Sequence, residues 1–297
     1  MQLTKNQQER SFNMPRPNNM RAEIEHLLDD QITKLIPVNG GDITRSFILK
    51  TVAKGTFFVK SLPDAPQNMF STEAIGLAAL GDTGEIATPA VIAAGTEWLI
   101  LEYIETSPPT TAFWELFARQ LGRLHRIPQP DFGFEVNNYC GKTPQINTIT
   151  SSGHEFFAKQ RIGFQADLSL RKGLLSTDDR RLIDNLASRL RNLIPEQAPS
   201  LIHGDLWPGN HLCSNKGTPV LIDPSTHRGW AEAEIAMTTL FGGFPESFYQ
   251  AYLEANPLNP GWQERLPLYN LYHLLNHLNL FGSSYHSRVM DIVKRYS

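Results

Sequence analysis

The sequence predicts an α+β chain in two lobes, a small antiparallel sheet with one helix followed by a larger, mainly helical part. Three observations carry this expectation. Short apolar runs separated by glycine-bearing turns fill residues 32–62, and a strand pair follows at 90–104. From Pro108 onward apolar residues recur at helical rather than strand spacing. A chain of 297 residues, 41% hydrophobic and 19% charged, is long enough for two lobes with a cleft between them. The divisions expected are a leader over 1–19, a first lobe over 20–104 and a second over 105–297.

Residues 1–19 are polar, carry Pro15 and Pro17 and lack the apolar h-region of a signal peptide, so they read as a disordered leader, with Met14 and Met20 as alternative starts. Helical spacing at Ile24, Leu27 and Leu28 predicts a helix over 22–28. Apolar runs at 32–38, 43–49 and 57–62 predict three strands. Residues 70–80, with Ala74, Ile75, Leu77, Ala78 and Leu80, predict the single helix of the first lobe. Residues 90–104 predict a strand pair turning at Gly95-Thr96.

In the second lobe Phe113, Leu116, Phe117, Leu121 and Leu124 form one helical stripe, and Leu182, Ile183, Leu186, Leu190 and Leu193 form another. Ser176 to Asp179 supplies a start signal for the latter. Residues 248–253 predict a further helix, and 266–280 are apolar on most sides, as in a buried helix. No internal repeat or low-complexity segment is evident.

The formal charge of −3, with no basic run and no Arg-rich helix, argues against nucleic acid or an anionic membrane surface as the main partner. Cys140 and Cys213 are the only cysteines and fall outside any CxxC or Cys/His spacing, which argues for reduced thiols and against a disulfide framework or a zinc site. No stretch approaches the ~20 consecutive apolar residues of a membrane span. The expectation is a soluble, cytoplasmic monomer.

The residues most able to do chemistry are Asp205, Asn210 and Asp223, which lie within 19 residues of one another. Asp205 sits in a loop before Trp207-Pro208-Gly209, where Pro and Gly fix a turn that presents a carboxylate. A turn-capping aspartate would explain Asp205 alone, but not Asn210 five residues on or Asp223 after a second short strand. An aspartate near an amide oxygen and a second carboxylate is what phosphoryl transfer needs. The first accepts from the incoming hydroxyl, and Asn210 and Asp223 hold Mg2+ on the nucleotide's phosphates.

Lys60 ends the run Thr-Phe-Phe-Val-Lys and Glu73 follows on the helix, the pairing that directs an ammonium at α- and β-phosphates in kinase folds. Alone such a pair is commonplace; joined to Asp205, Asn210 and Asp223 it gains meaning. Gly40 and Gly41 stand where backbone would approach phosphate closely, although a hairpin turn also accounts for them. Glu102 and Ile104, on the connector between lobes, can offer backbone groups to an adenine edge. His203 reads as structural, holding its loop through backbone or Asp223. Trp207 and Trp230 fit a substrate pocket or core equally. Glu232 and Glu234 suit a helix N-terminus and could also meet a cationic substrate. Apart from His203, and with it His277, the histidines lack ligand spacing and read as ordinary.

His-Gly-Asp-Leu-Trp-Pro-Gly-Asn (203–210), Asp-Pro-Ser (223–225), Glu232-Ala233-Glu234 and Phe-Gly-Gly-Phe (241–244) together resemble the fructosamine kinase (ketosamine 3-kinase) family, part of the aminoglycoside and choline kinase group with the protein-kinase-like fold. Supporting stretches lie at 132–145, 158–162, 247–252 and 275–282, so the resemblance covers residues 21–295. Trp207, where the wider group often has histidine, points to the narrower family. The resemblance implies that Asp205 is the catalytic base, that Asn210 and Asp223 bind Mg2+, and that Lys60 with Glu73 serves the phosphates of ATP. It implies as acceptor the 3-hydroxyl of a ketosamine, on a small molecule or a glycated lysine. Asp42 replaces the cysteine some relatives carry in the glycine-rich loop, so a redox switch there is not expected. Asp-Pro-Ser in place of Asp-Phe-Gly removes the phenylalanine of a protein-kinase switch. The rivals are the same fold acting on an aminoglycoside, choline or homoserine-type hydroxyl, and an ATP-binding pseudokinase.

Overall fold

The computed structural model describes residues 17–38 and 43–296. The chain enters through helix α1 (Pro17–Leu28). Helix is already present at Pro17, the first described residue, so the predicted 1–19 leader gives up its last residues. Ile24 and Leu28 from α1 pack with Ile32, Leu49, Val59, Trp98 and Ile100 under the sheet.

That sheet has five strands: β1 (Ile32–Val38), β2 (Arg45–Thr51), β3 (Thr56–Ser61), β4 (Val91–Ala94) and β5 (Trp98–Glu102). The order is β1-β2-β3-β5-β4 and every pairing is antiparallel. β2 lies two residues later than the apolar run 43–49 suggests. The turn that ends it explains the shift, because Thr51 N–H donates to Gly55 O at 2.9 Å and Gly55 takes a φ of +96°. Gly40, Gly41 and Asp42 lie outside the described residues. In β3, Lys60 pairs with Ser46 of β2 and Leu99 of β5, which places it on a central strand.

Helix α2 (Met69–Gly81) covers the sheet through Met69, Phe70 and Leu77, against Leu62, Leu99 and Leu101. It also touches the second lobe closely: a Cβ on Gly76 would stand 2.8 Å from Thr226 Oγ1. Glycine there lets the first-lobe helix rest on the loop that follows Asp223.

The second lobe opens with α3 (Thr111–His125), whose N-cap Thr110 accepts from Phe113 N–H at 3.2 Å. Phe113, Phe117, Leu121 and Leu124 are buried as the stripe predicts, while Leu116 faces solvent. A hairpin not evident from the sequence follows, β6 (Asn138–Cys140) with β7 (Thr143–Gln145). Next come α4 (Gly153–Glu155), a π-helical turn over Phe156–Gly163 and α5 (Phe164–Arg171). The 182–193 stripe is not one helix. α6 (Thr177–Ser188) starts on a capping box in which Asp179 N–H donates to Ser176 Oγ at 3.1 Å, and a break at Arg189 separates it from α7 (Leu190–Leu193).

β8 (Ser200–Ile202) pairs with β11 (His227–Gly229), and between them β9 (His211–Cys213) pairs with β10 (Pro219–Leu221). α8 (Ala231–Leu240), α9 (Glu246–Ala255), α10 (Trp262–Phe281) and α11 (His286–Tyr296) complete the chain. α10 is buried over most of its length, as expected, and runs through Pro267 rather than beginning beside it. Among the described residues no helix is long and apolar enough to cross a membrane.

Candidate active site

The loop after β8 is held from beneath. His203 and Gly204 donate their N–H groups to the two carboxylate oxygens of Glu234, each at 2.9 Å, and His203 Nε2 meets Ile222 O at 2.7 Å. Burial lowers His203 to about 4. A neutral ring donates from Nε2 to Ile222 and accepts the Asp205 N–H at Nδ1, 3.2 Å away. This is the structural role expected of it, through backbone rather than Asp223. Gly204 has a φ of +82°, and a Cβ there would sit 2.2 Å from Ser225 O, so no other residue fits.

Asp205 projects from this loop. Asn210 grips it with its amide nitrogen, which donates to the Asp205 carbonyl at 2.8 Å and to Oδ2 at 3.2 Å, and this leaves the amide oxygen of Asn210 for a metal ion. Asn210 is itself fixed by the turn N–H to Trp207 O at 2.9 Å and by Ile222 N–H to its own carbonyl at 3.1 Å. Asp223, two residues past β10, adopts a left-handed φ of +57° that a non-glycine residue rarely takes. Its carboxylate accepts from Lys60 Nζ at 2.9 Å, and Lys60 also reaches Glu73 at 2.7 Å. Exposure decides which of these atoms is free for a ligand. The Lys60 side chain is 6% exposed, whereas that of Asp223 is 38% exposed.

The electrostatics follow from this packing. Burial pulls Lys60 down, but Asp223 and Glu73 outweigh it and hold the ammonium above the ordinary lysine range. Asp205 is raised well above the usual aspartate value, first by burial and then by the negative charges of Asp223 and Glu234, with Asn210 opposing. Glu234 is pushed up to about 7 by burial, against the two N–H groups it accepts.

Lys60, Glu73, Asp205, Trp207, Asn210 and Asp223 all line one cavity of about 640 Å³ between the lobes. A row of rings lines the same cavity. Trp207 meets Phe241 at 6.2 Å, Phe241 meets His277 at 4.8 Å, and His277 meets Phe281 and Tyr285 at 5.3 and 5.2 Å.

Other predicted site residues are not on this cavity. Trp230 is core, packed against His154, Phe157 and Tyr269. Glu232 is fully buried and bonded to Arg265 Nη2 at 2.6 Å and to Tyr269 Oη at 2.8 Å. Glu234 braces the loop. All three are buried and none lines the cavity. Glu102 spends its N–H on Ala90 O at 2.8 Å, and neither it nor Ile104 lines the cavity. Cys140 and His273, read from the sequence as ordinary, stand beside Asp205. Nothing in their spacing signals it, since a hairpin, a loop and a helix must converge first.

The profile described as fructosamine kinase matches residues 17–297. The chain belongs to the fructosamine kinase family. This member is 41% identical over 267 residues to a Vibrio parahaemolyticus protein provisionally named a ketoamine kinase, covering 87% of this chain and 91% of that one. It is 38% identical over 276 residues to the chloroplastic protein-ribulosamine 3-kinase of Arabidopsis thaliana, covering 90% and 83%. A Thermobifida fusca crystal structure provisionally named a fructosamine-3-kinase superposes with a TM-score of 0.85 at 33% identity, covering 93% and 98%. The choline kinase LicA of Streptococcus pneumoniae superposes with a TM-score of 0.61 at 18% identity, covering 93% and 96%, a likeness of fold alone. The fold is thus protein-kinase-like, as expected.

Proposed function

We propose that this fructosamine kinase family member is an ATP-dependent phosphotransferase acting on the 3-hydroxyl of ketosamines, carried on a free amine or a lysine side chain. The observation that carries the reading is the convergence of Lys60, Asp205, Asn210 and Asp223 on one cavity, with Lys60 held by Glu73 and Asp223, Asn210 bonded to Asp205, and the Asp205 loop braced by Glu234. A set of four so supported speaks against a chain that only binds nucleotide.

The donor chemistry fits Mg2+ and ATP. Asp223 presents a carboxylate and Asn210 an amide oxygen, both hard oxygen donors of the kind Mg2+ takes. Lys60 spends two of its three donors on Glu73 and Asp223, which leaves one for a phosphate oxygen. When bound, Mg2+ would neutralise charge on the phosphates and ATP would supply the phosphoryl group. The chain's own residues do the rest. Lys60, kept protonated, positions the α- and β-phosphates. Asp205 orients the acceptor hydroxyl; as the oxygen–phosphorus bond forms and the bond to the ADP oxygen breaks, the hydroxyl proton passes to the carboxylate. Such transfers depend more on positioning than on base strength, hence the rigid loop.

The ring wall suits the acceptor. Trp207 lies two residues from Asp205 and starts a row of rings whose outer member, Phe281, is 46% exposed at the rim. Sugar C–H faces and the cationic amine of a ketosamine both favour aromatic faces. ADP release with ribulosamine and fructosamine acceptors, measured beside aminoglycosides and choline, tests the reading. Turnover confined to the last two acceptors would refute it.

A further inference from the structure

Behind the carboxylate of Asp205, three side chains from three elements meet. Cys140 ends β6, Asp205 stands on the loop after β8, and His273 lies midway along α10, yet their Sγ, carboxylate and ring-nitrogen ligand atoms all fall within 4.8 Å of one another. His273 Nδ1 is 3.6 Å from Asp205 Oδ1, beyond hydrogen-bond reach, and has no hydrogen-bond partner although the residue is only 6% exposed. An unpartnered polar atom buried at this depth costs about 1–3 kcal/mol unless something meets it.

We propose that Cys140, Asp205 and His273 form a binding site for a thiophilic divalent cation of the Zn2+ type, and that occupancy inhibits the enzyme. One sulfur, one imidazole nitrogen and one carboxylate oxygen is a zinc-like donor set, with a fourth position left for water. It is the wrong set for Mg2+, which takes oxygen ligands. The cysteine spacing that argued against a zinc site could not show this, because the ligands come from positions 140, 205 and 273. Cys140 is a free, buried cysteine. Coordination therefore forms the sulfur–metal bond by releasing the thiol proton to solvent, as zinc does with coordinating thiols. Asp205 Oδ2 stays with Asn210 at 3.2 Å while Oδ1 turns to the cation. The acceptor hydroxyl then loses its base. This second half rests on the proposed role of Asp205; the binding half does not.

The test uses the full chain in two assays. Co2+, added as a spectroscopic stand-in for Zn2+, should give a thiolate-to-cobalt charge-transfer band at one equivalent, displaced by Zn2+ and absent in Cys140→Ser. Zn2+ should inhibit turnover reversibly, relieved by chelator and not by excess Mg2+. Cys140→Ser and His273→Asn should each raise the half-inhibiting Zn2+ concentration by at least about 100-fold relative to their own zinc-free rates, the upper end of what losing second-shell support alone costs. No cobalt–thiolate band in the wild type would overturn the site even if the variants fail to fold. Inhibition that Mg2+ relieves and that both variants retain would place the ion at Asn210 and Asp223 and overturn it too. A band without inhibition would leave the site standing and refute its link to Asp205.

Discussion

Gly204→Ala isolates what holds the candidate base in place. Its added Cβ would lie 2.2 Å from Ser225 O and 3.0 Å from Ser225 C, backbone atoms that no rotamer change can move aside. The residue would also keep a φ of +82°, which costs a non-glycine about 1–2 kcal/mol. Relieving the clash must shift the Ser225 backbone, whose N–H donates to His203 O at 2.8 Å, and so gives up about 0.5–1.5 kcal/mol more. Adding the displaced packing, a loss of about 3–5 kcal/mol is expected, in the range of large single-residue effects. Gly217→Ala is the control. Gly217 has a φ of +75° but open space around its Cβ position, so it should lose only about 1–2 kcal/mol. Urea unfolding of both variants separates clash from backbone strain. Turnover should also part them, because a displacement of about 1 Å beside Asp205 costs on the order of 10²-fold, whereas Gly217→Ala should keep its rate. Equal stability loss in the two variants, or a fully active Gly204→Ala, would refute the reasoning.

Other outcomes follow from the same geometry. Lys60→Met should lower kcat/KM for ATP by about 10²–10³-fold, because it removes a positioned charge from the phosphates; steady-state kinetics with varied ATP read this directly. Glu234 rises from 4.5 to about 7 on folding, so the folded state holds its proton more tightly. Its contribution is then fully present below pH 4.5 and is lost as pH rises to about 7, a decline of about 3 kcal/mol. Urea unfolding at pH 5 and pH 7.5 should show about 2 kcal/mol of that decline in wild type and none of it in Glu234→Gln. Parallel pH profiles would contradict it. Trp207→Ala should raise KM for a ketosamine by about tenfold, matching the ~1 kcal/mol and more of an aromatic contact, while KM for ATP stays near the wild-type value.

What the sequence makes legible here is what lies close together along it. Asp205, Asn210 and Asp223 share one turn and one hairpin, so their spacing already implies a common site, and Lys60 with Glu73 sits on a strand and the next helix. Glu232 and Glu234 show the limit. Their place in the first turn of α8 is readable, but the face they take is set by Arg265, Tyr269 and the loop at His203, none of which the local sequence names. Leu116 fits the α3 stripe yet faces solvent, because the buried arc is narrower than the apolar spacing. The 182–193 stripe hides a break at Arg189, since apolar spacing persists across a change of helix. Cys140 and His273 become neighbours of Asp205 only after a hairpin and a late helix have packed, an arrangement with no local signature.

Whether Asp205 is the base of a ketosamine kinase can be decided by one comparison. Asp205→Asn keeps the side-chain shape and removes the proton acceptor. Turnover with a ribulosamine or fructosamine acceptor should fall by about 10²- to 10⁴-fold while ATP affinity, measured by calorimetry on the same sample, changes little. Near-normal turnover in Asp205→Asn, with ATP still bound, would contradict the claim.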